Sequence, residues 1–341
     1  MPDSARGYCL RMSQAHGTPV EPPTAQGPWG ETERFPRPES RWVDLGRRVH
    51  HVDHGGPADG PLLVCVHGLG GSLVNWAALA PLLTPTCRVL ALDLAGFGLT
   101  QGAGDPTSVE ANQQLLHRFL TEVAGPPAIL VGNSMGGLIA AMQAARHPET
   151  VAGLVLVDPA LPSGIRARPH PLVAFAFGLY AVPPLGRALL NGRRRARTPE
   201  QAAMDVLRLC CSDPGRVPVE VLRQHVELAR QRHGHIAADE EFLIAARSLL
   251  AALSRRRSHA AMLDAIAAPV LLLHGDEDRL VPVAAARAAA AAHPAWRFEV
   301  AEGVGHVPQL EVPEWTARHL LDWLDREGAT ARDAARHPTP G

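Results

Sequence analysis

The chain has 341 residues, 46% of them apolar and 20% charged, which fits a globular protein of one or two domains and excludes a disordered chain. A formal net charge of −1 argues against a generally basic nucleic-acid binder. All 33 basic residues are arginine, so chemistry that needs a lysine amine is excluded: Schiff bases, pyridoxal phosphate anchoring and the lysine-bearing phosphate loop.

In chain order, residues 1–40 are rich in Pro, Gly and polar residues without periodicity and predict a flexible arm. Met1 to Gly30 holds no apolar core of signal-peptide type. Nowhere does an apolar run reach the roughly 20 residues of a membrane span. The five Cys form no C-x-x-C pair, so neither a disulfide framework nor a structural zinc site is expected. Together these features predict a cytoplasmic location.

From Trp42 the pattern becomes regular. Trp42–Leu45 and Arg48–Asp53 flank Gly46 as an edge hairpin. Continuous apolar runs at Leu62–Val66, Val89–Leu92, Ala128–Val131, Val151–Val157 and Val270–Leu273 predict strands buried on both faces. Helical stretches lie between and after them, at Asn75–Leu83, Val109–Val123, Met135–Arg146, Ala284–Ala292 and Trp315–Asp325, and Trp296–Val300 is a further strand. Such alternation predicts an α/β fold, a mostly parallel, doubly wound sheet of about eight strands. The alternation stops over residues 161–262, where the chain is helical and carries a net charge of +8 against −9 for the remainder. That shift predicts a helical cap inserted between core segments 41–160 and 263–328, with 329–341 a frayed tail.

The chemistry concentrates at strand ends. Gly132-Asn133-Ser134-Met135-Gly136 is a G-x-S-x-G motif directly after a buried strand and before a helix. Small residues at Gly132 and Gly136 permit the sharp turn that projects the Ser134 hydroxyl above the sheet. A serine hydroxyl needs a base, and the base an acid that sets its tautomer. Later in the chain, His274-Gly275-Asp276-Glu277-Asp278 ends one strand in carboxylates, and Gly305-His306 follows the next strand. The order Ser…Asp…His selects His306 from the 17 histidines. His67-Gly68-Leu69-Gly70-Gly71 follows the first buried strand, where backbone N–H groups can hold a developing oxyanion. The expected donors are the N–H groups of Leu69 and Met135. A dinucleotide loop is the competing reading of that segment, but Leu73 stands where G-x-G-x-x-G needs its last glycine.

These segments, with Asp93-Leu94-Ala95-Gly96-Phe97-Gly98 and Gly275-x-x-Asp278-x-x-Val281-Pro282, resemble the α/β-hydrolase superfamily over roughly residues 42–327. The resemblance implies a Ser134–His306–Asp278 triad and a cap inserted after the sixth strand of the family fold. It places the acid three residues after Gly275, hence Asp278 rather than Asp276, with Asp158 the position some relatives use. Ser134 separates the chain from the dehalogenase and epoxide hydrolase branches, which resemble it elsewhere but carry Asp there. Asn133-Ser134-Met135-Gly136 is similar to the carbon–carbon hydrolases of meta-cleavage products, and Asn75 to an Asn of their oxyanion loop. Those enzymes usually carry Trp after the histidine, where this chain has Val307.

The expectation is therefore a serine hydrolase of small-molecule esters or related acyl compounds, with carbon–carbon hydrolysis of meta-cleavage-type diketone acids as the alternative and a weakly catalytic ligand receptor as a third reading. Neither a metal nor an organic cofactor is expected. In the cap, the apolar stretch Leu172–Leu185 either packs on the core or lines an acyl pocket. The runs Arg193-Arg194-Arg195-x-Arg197 and Arg255-Arg256-Arg257 present a solvated helix face, or a weak attraction for anionic substrates or surfaces.

Overall fold

Each apolar run becomes a strand whose side chains alternate between two cores, as the period of two requires. Val64, Val66, Leu90, Leu92, Leu130, Leu154, Leu156 and Leu272 point to one side, where they meet Leu116, Phe119 and Ile139. Leu63, Cys65, Val89, Ala91, Val131, Val155, Val157, Leu271 and Leu273 point to the other, against Leu79, Leu83, Leu320 and Trp323. Helices on both faces remove both sets from water, which is why these strands carry no polar alternation.

A computed structural model describes Phe35 and residues 37–102, 106–162, 170–233, 235 and 237–336. The strands are β1 (Ser40–Asp44), β2 (Arg48–Gly55), β3 (Leu62–Val66), β4 (Arg88–Leu92), β5 (Ala128–Asn133), β6 (Val151–Val157), β7 (Val270–Gly275) and β8 (Arg297–Ala301). They form one sheet in the order β1-β2-β4-β3-β5-β6-β7-β8. The β1–β2 and β2–β4 pairs are antiparallel and all others parallel. The chain moves outward from β3 to β4 and then returns past it to β5, so the strand order reverses between β3 and β5. In open α/β sheets the carboxyl ends at such a reversal form the ligand crevice. Here those ends lead into His67–Gly71 and into Ser134.

The helices in chain order begin with α1 (Ala80–Leu83), α2 (Val109–Phe119) and α3 (Met135–Arg146). Six follow between β6 and β7: α4 (Pro171–Ala181), α5 (Pro183–Ala196), α6 (Pro199–Cys210), α7 (Val219–Arg232), α8 (Ala238–Ser254) and α9 (Arg256–Asp264). The last three are α10 (Val283–Ala292), α11 (Pro308–Glu311) and α12 (Pro313–Arg336). Helices α4 to α9 fill the stretch between β6 and β7.

Two expectations need correction. The stretch Asn75–Leu83 is not one helix but a 3-10 turn, Leu73–Trp76, followed by the single turn α1. Pro81 explains the break, since proline suits only the first turn of a helix. Residues 329–336 belong to α12 rather than to a frayed tail, because this Ala- and Arg-rich segment meets no helix breaker before Pro338. Residues 337–341 and the predicted arm up to residue 34 lie outside the described residues, and Ser40, the arm's last expected residue, opens β1.

Packing explains only part of Leu172–Leu185. Val173 and Tyr180 are buried, whereas Leu172 and Phe175 are 66% and 65% exposed. The arginine runs of the cap are partly engaged by acids of the same layer, Arg194 with Asp239 at 3.5 Å and Arg197 with Asp205 at 2.8 Å.

Candidate active site

Ser134 sits between β5 and α3 with φ 55° and ψ −120°, a conformation that costs a non-glycine residue about 1–3 kcal/mol and persists only where its surroundings enforce it. Two hydrogen bonds enforce it: the Ser134 N–H donates to Val157 O at 3.1 Å, and the Ala160 N–H donates to Ser134 O at 2.9 Å. The glycines two residues either side allow the bend. A Cβ at Gly132 would lie 2.6 Å from Gly136 O, and one at Gly136 only 2.2 Å from Val66 O. The Ser134 side chain makes no cap hydrogen bond to its own helix, which leaves the hydroxyl free for other partners.

From β7 and β8 come the acid and the imidazole. His306 Nδ1 lies 2.6 Å from Asp278 Oδ2, and both side chains are buried. Asp278 Oδ1 accepts the N–H groups of Leu280 at 2.7 Å and Val281 at 3.0 Å. Burial alone would raise its pKa, but the His306 charge and hydrogen bond outweigh this and hold the carboxyl below the ordinary range. With the acceptor on the Nδ1 side, the imidazole keeps its proton there and presents the Nε2 lone pair.

A second buried carboxylate stands behind the first. Asp158, at the end of β6 with φ 44°, accepts the Gly275 N–H at 3.0 Å, while its Oδ2 has no hydrogen-bond partner. His274 Nε2 is 3.6 Å from both Asp158 Oδ1 and Asp278 Oδ2. Burial first, and then the neighbouring Asp278 charge, push the Asp158 carboxyl well above its usual range, so it is held as the neutral acid. The ligand atoms of Asp158, His274 and Asp278 lie within 4.8 Å of one another, which is compact enough for a cation. Their chemistry fits a proton-sharing cluster better. Nε2 of His274 faces Val281 O at 2.8 Å and so carries the proton, offering no lone pair to a metal.

Three residues that sequence reasoning missed fix the imidazole loop. The Asn133 side-chain amide, next to Ser134, donates to Val157 O and to His306 O, each at 3.0 Å. That bond places the His306 backbone against the serine turn. From the cap, Cys210 O accepts the His306 N–H at 2.6 Å. The buried Glu311 carboxylate accepts three backbone N–H groups, Gly305 at 2.9 Å, Ser212 at 3.1 Å and Asp213 at 2.9 Å. Val307 packs with Leu207, Cys211, Val217 and Val221 of the cap layer. No local sequence signal marks these residues, because their partners are backbone groups far away in the chain.

The loop His67–Gly71 is equally determined. His67 Nδ1 donates to Gly68 O at 2.8 Å, and His67 Nε2 accepts the Leu94 N–H at 3.0 Å, which defines a neutral tautomer. Burial lowers the pKa of this imidazole, which favours the neutral ring. Gly68 O also accepts the Gly71 N–H at 3.1 Å. In a trans peptide the N–H opposes the C=O, so pinning Gly68 O sets the direction of the Leu69 N–H. This peptide lies beside Ser134, for a Cβ on Gly68 would come 2.9 Å from Ser134 Cβ. Met135 is the first residue of α3, where the N–H has no intrahelical acceptor. Leu69 thus follows β3, Ser134 and Met135 follow β5, Asp278 follows β7 and His306 follows β8. Asn75 holds the turn after the loop, its Oδ1 accepting the Ser72 N–H at 3.3 Å.

Comparison with known proteins agrees with this architecture. The profile of the family described as "alpha/beta hydrolase fold" matches residues 61–313. The chain is 27% identical to monoacylglycerol lipase ABHD6 of Homo sapiens over 289 residues, covering 82% of this chain and 81% of that protein. It is 28% identical over 287 residues to the 2-hydroxy-6-oxononadienedioate/2-hydroxy-6-oxononatrienedioate hydrolase of Cupriavidus pinatubonensis, covering 82% and 92%. Among solved structures, a membrane phospholipase A superposes with a TM-score of 0.62 at 29% identity, covering 86% of each chain.

Proposed function

This chain belongs to the α/β-hydrolase fold family and is a hydrolase, and from that premise we propose that it cleaves carboxylic esters or related acyl bonds through Ser134, His306 and Asp278. The observation that carries the reading is the 2.6 Å bond between His306 and Asp278, made on a loop that Asn133 ties to the strained Ser134 turn.

His306 Nε2 takes the Ser134 proton as Oγ attacks the substrate carbonyl. Asp278 holds the imidazole through Nδ1 and stabilises the imidazolium that forms. The N–H groups of Leu69 and Met135 bind the tetrahedral oxyanion, a contribution of about 2.7–4 kcal/mol per donor in serine hydrolases. Collapse expels the alcohol, which takes the proton back from His306. Water then attacks the acyl-enzyme with His306 again as base, restoring Ser134.

The similarity to ABHD6 and to a phospholipase favours oxygen esters. A second reading, carbon–carbon hydrolysis of a dienoate diketone acid, is favoured by the Cupriavidus relative and by Asn133-Ser134-Met135-Gly136. Nitrophenyl esters of increasing acyl length, assayed beside one ring-cleavage dienoate, separate the two. We expect higher kcat/KM on an ester, and Ser134→Ala to lower it by about 10⁴-fold or more. Undiminished ester turnover by Ser134→Ala would refute the nucleophile assignment, and faster turnover of the dienoate would favour the second reading.

A further inference from the structure

We propose that the outer face of helices α4 and α5 of the cap docks on an anionic phospholipid bilayer, lying in its surface rather than crossing it. The inference concerns where the molecule sits and holds whichever bond the site cleaves.

Water is a poor neighbour for this face. Among the described residues seven large apolar side chains are exposed, and four of them, Leu172, Phe175, Val182 and Leu185, fall in residues 172–185. From Pro171 to Gly186 no side chain is charged, and the one that can hydrogen-bond, Tyr180, is buried. Leu172, Phe175 and Leu179 share one face of α4, at spacings of three and four residues. A solvated helix face carries polar residues, whereas a contiguous apolar patch marks an interaction surface.

Both helices have their backs to α8. Tyr180 of α4 meets Phe242 of α8 edge-on, with ring centres 5.2 Å apart. A Cβ on Gly186 of α5 would come 2.7 Å from Leu243 Cδ2 of the same α8. The exposed faces of α4 and α5 therefore both look away from α8. On α5 that face runs through Leu185, Ala188, Gly192 and Arg195, again at spacings of three and four. It passes from apolar to cationic over about 15 Å of helix.

Charge decides what fits there. Residues 159–199 contain seven Arg and no Asp or Glu. Arg187, Arg194 and Arg197 are engaged by Glu240, Asp239 and Asp205. Arg193 and Arg195 are exposed and make no ion pair among the described residues. A second copy docked about a two-fold axis would set this face against itself, arginine towards arginine, with no acid on either helix to offset them. An anionic bilayer supplies both needs at once, an apolar layer for α4 and negative headgroups for the arginines. The helices lie in that surface because α4 and α5 have 11 and 14 residues and are bent by 119° where they meet. A span needs about 20 residues.

The test is flotation of the full chain with vesicles of phosphatidylcholine, alone or mixed with phosphatidylglycerol. The mixed vesicles should bind at least about tenfold more tightly, and salt at about 0.5 M should remove most of that preference. Leu172→Ser with Phe175→Ser should weaken binding to the mixed vesicles by about tenfold or more. Arg193→Gln with Arg195→Gln should remove most of the preference for them. All four side chains already stand in water, so both variants should keep the wild-type Tm. No binding to either vesicle, equal binding to both, or binding indifferent to Leu172→Ser with Phe175→Ser would each overturn the proposal. Sedimentation without lipid should find a monomer. A dimer that the same two substitutions dissolve would mean that a second copy covers the face, and would overturn it too.

Discussion

Asp158 is a strained, fully buried acid with one oxygen unpaired, in a layer that also holds Asp278 and His274. Two carboxylates this close cannot both ionise, so the one that faces His306 keeps the charge and the other keeps a proton. The consequence for stability has a definite sign. A folded-state value raised above the ordinary 3.8 gives stability that is full below that pH and is lost as pH climbs towards the folded value. Asparagine mimics the neutral acid without that loss. Asp158→Asn should therefore gain in Tm relative to the wild type between about pH 5 and about pH 8. Thermal melts at both pH values check this, and a difference that is the same at both would contradict the assignment of the proton to Asp158.

Among the elements, the connection between cap and core runs through backbone amides held by a few side chains. Glu311, at the end of the single-turn helix α11, holds Ser212 and Asp213 of the cap together with Gly305 of the imidazole loop. On the opposite side Glu241 of α8 accepts the Gly102 N–H at 2.8 Å, and Arg232 of α7 reaches the Gly96 and Gly98 carbonyls. Glu311→Ala leaves the buried Gly305 N–H and the part-buried Ser212 and Asp213 N–H groups without this acceptor, at about 1–3 kcal/mol for an unsatisfied buried group and less where water can reach. We expect a loss of about 2–4 kcal/mol, a fall in Tm of at least about 5 °C, and a lower kcat because the loop bearing His306 loosens. Calorimetry and ester kinetics on that variant would show neither change if the clamp were incidental.

Over the whole molecule, the parts legible in the sequence are those whose physics is local. Buried strands announce themselves as apolar runs, the serine turn as glycines around Ser134, and the acid and base as residues at strand ends. The resemblance then placed the acid at Asp278, where the structure also finds the imidazole partner. Contacts between distant segments were not legible. Asn133 and His306 are 173 positions apart, and Gly102 and Glu241 are 139 apart. The wall of the cavity between the core and helices α5 to α8 was not legible either, because Leu190, Val206 and Phe242 come to it from three separate helices of the cap.

The proposed site draws on the ends of four strands from both halves of the sheet, so the reactivity expected of it depends on the intact fold. The most direct test is treatment of the folded protein with a fluorophosphonate, followed by peptide mapping by mass spectrometry. A single adduct on Ser134, absent from urea-unfolded protein and from Ser134→Ala, is the predicted result. An adduct on another residue, or labelling that survives the substitution, would contradict it.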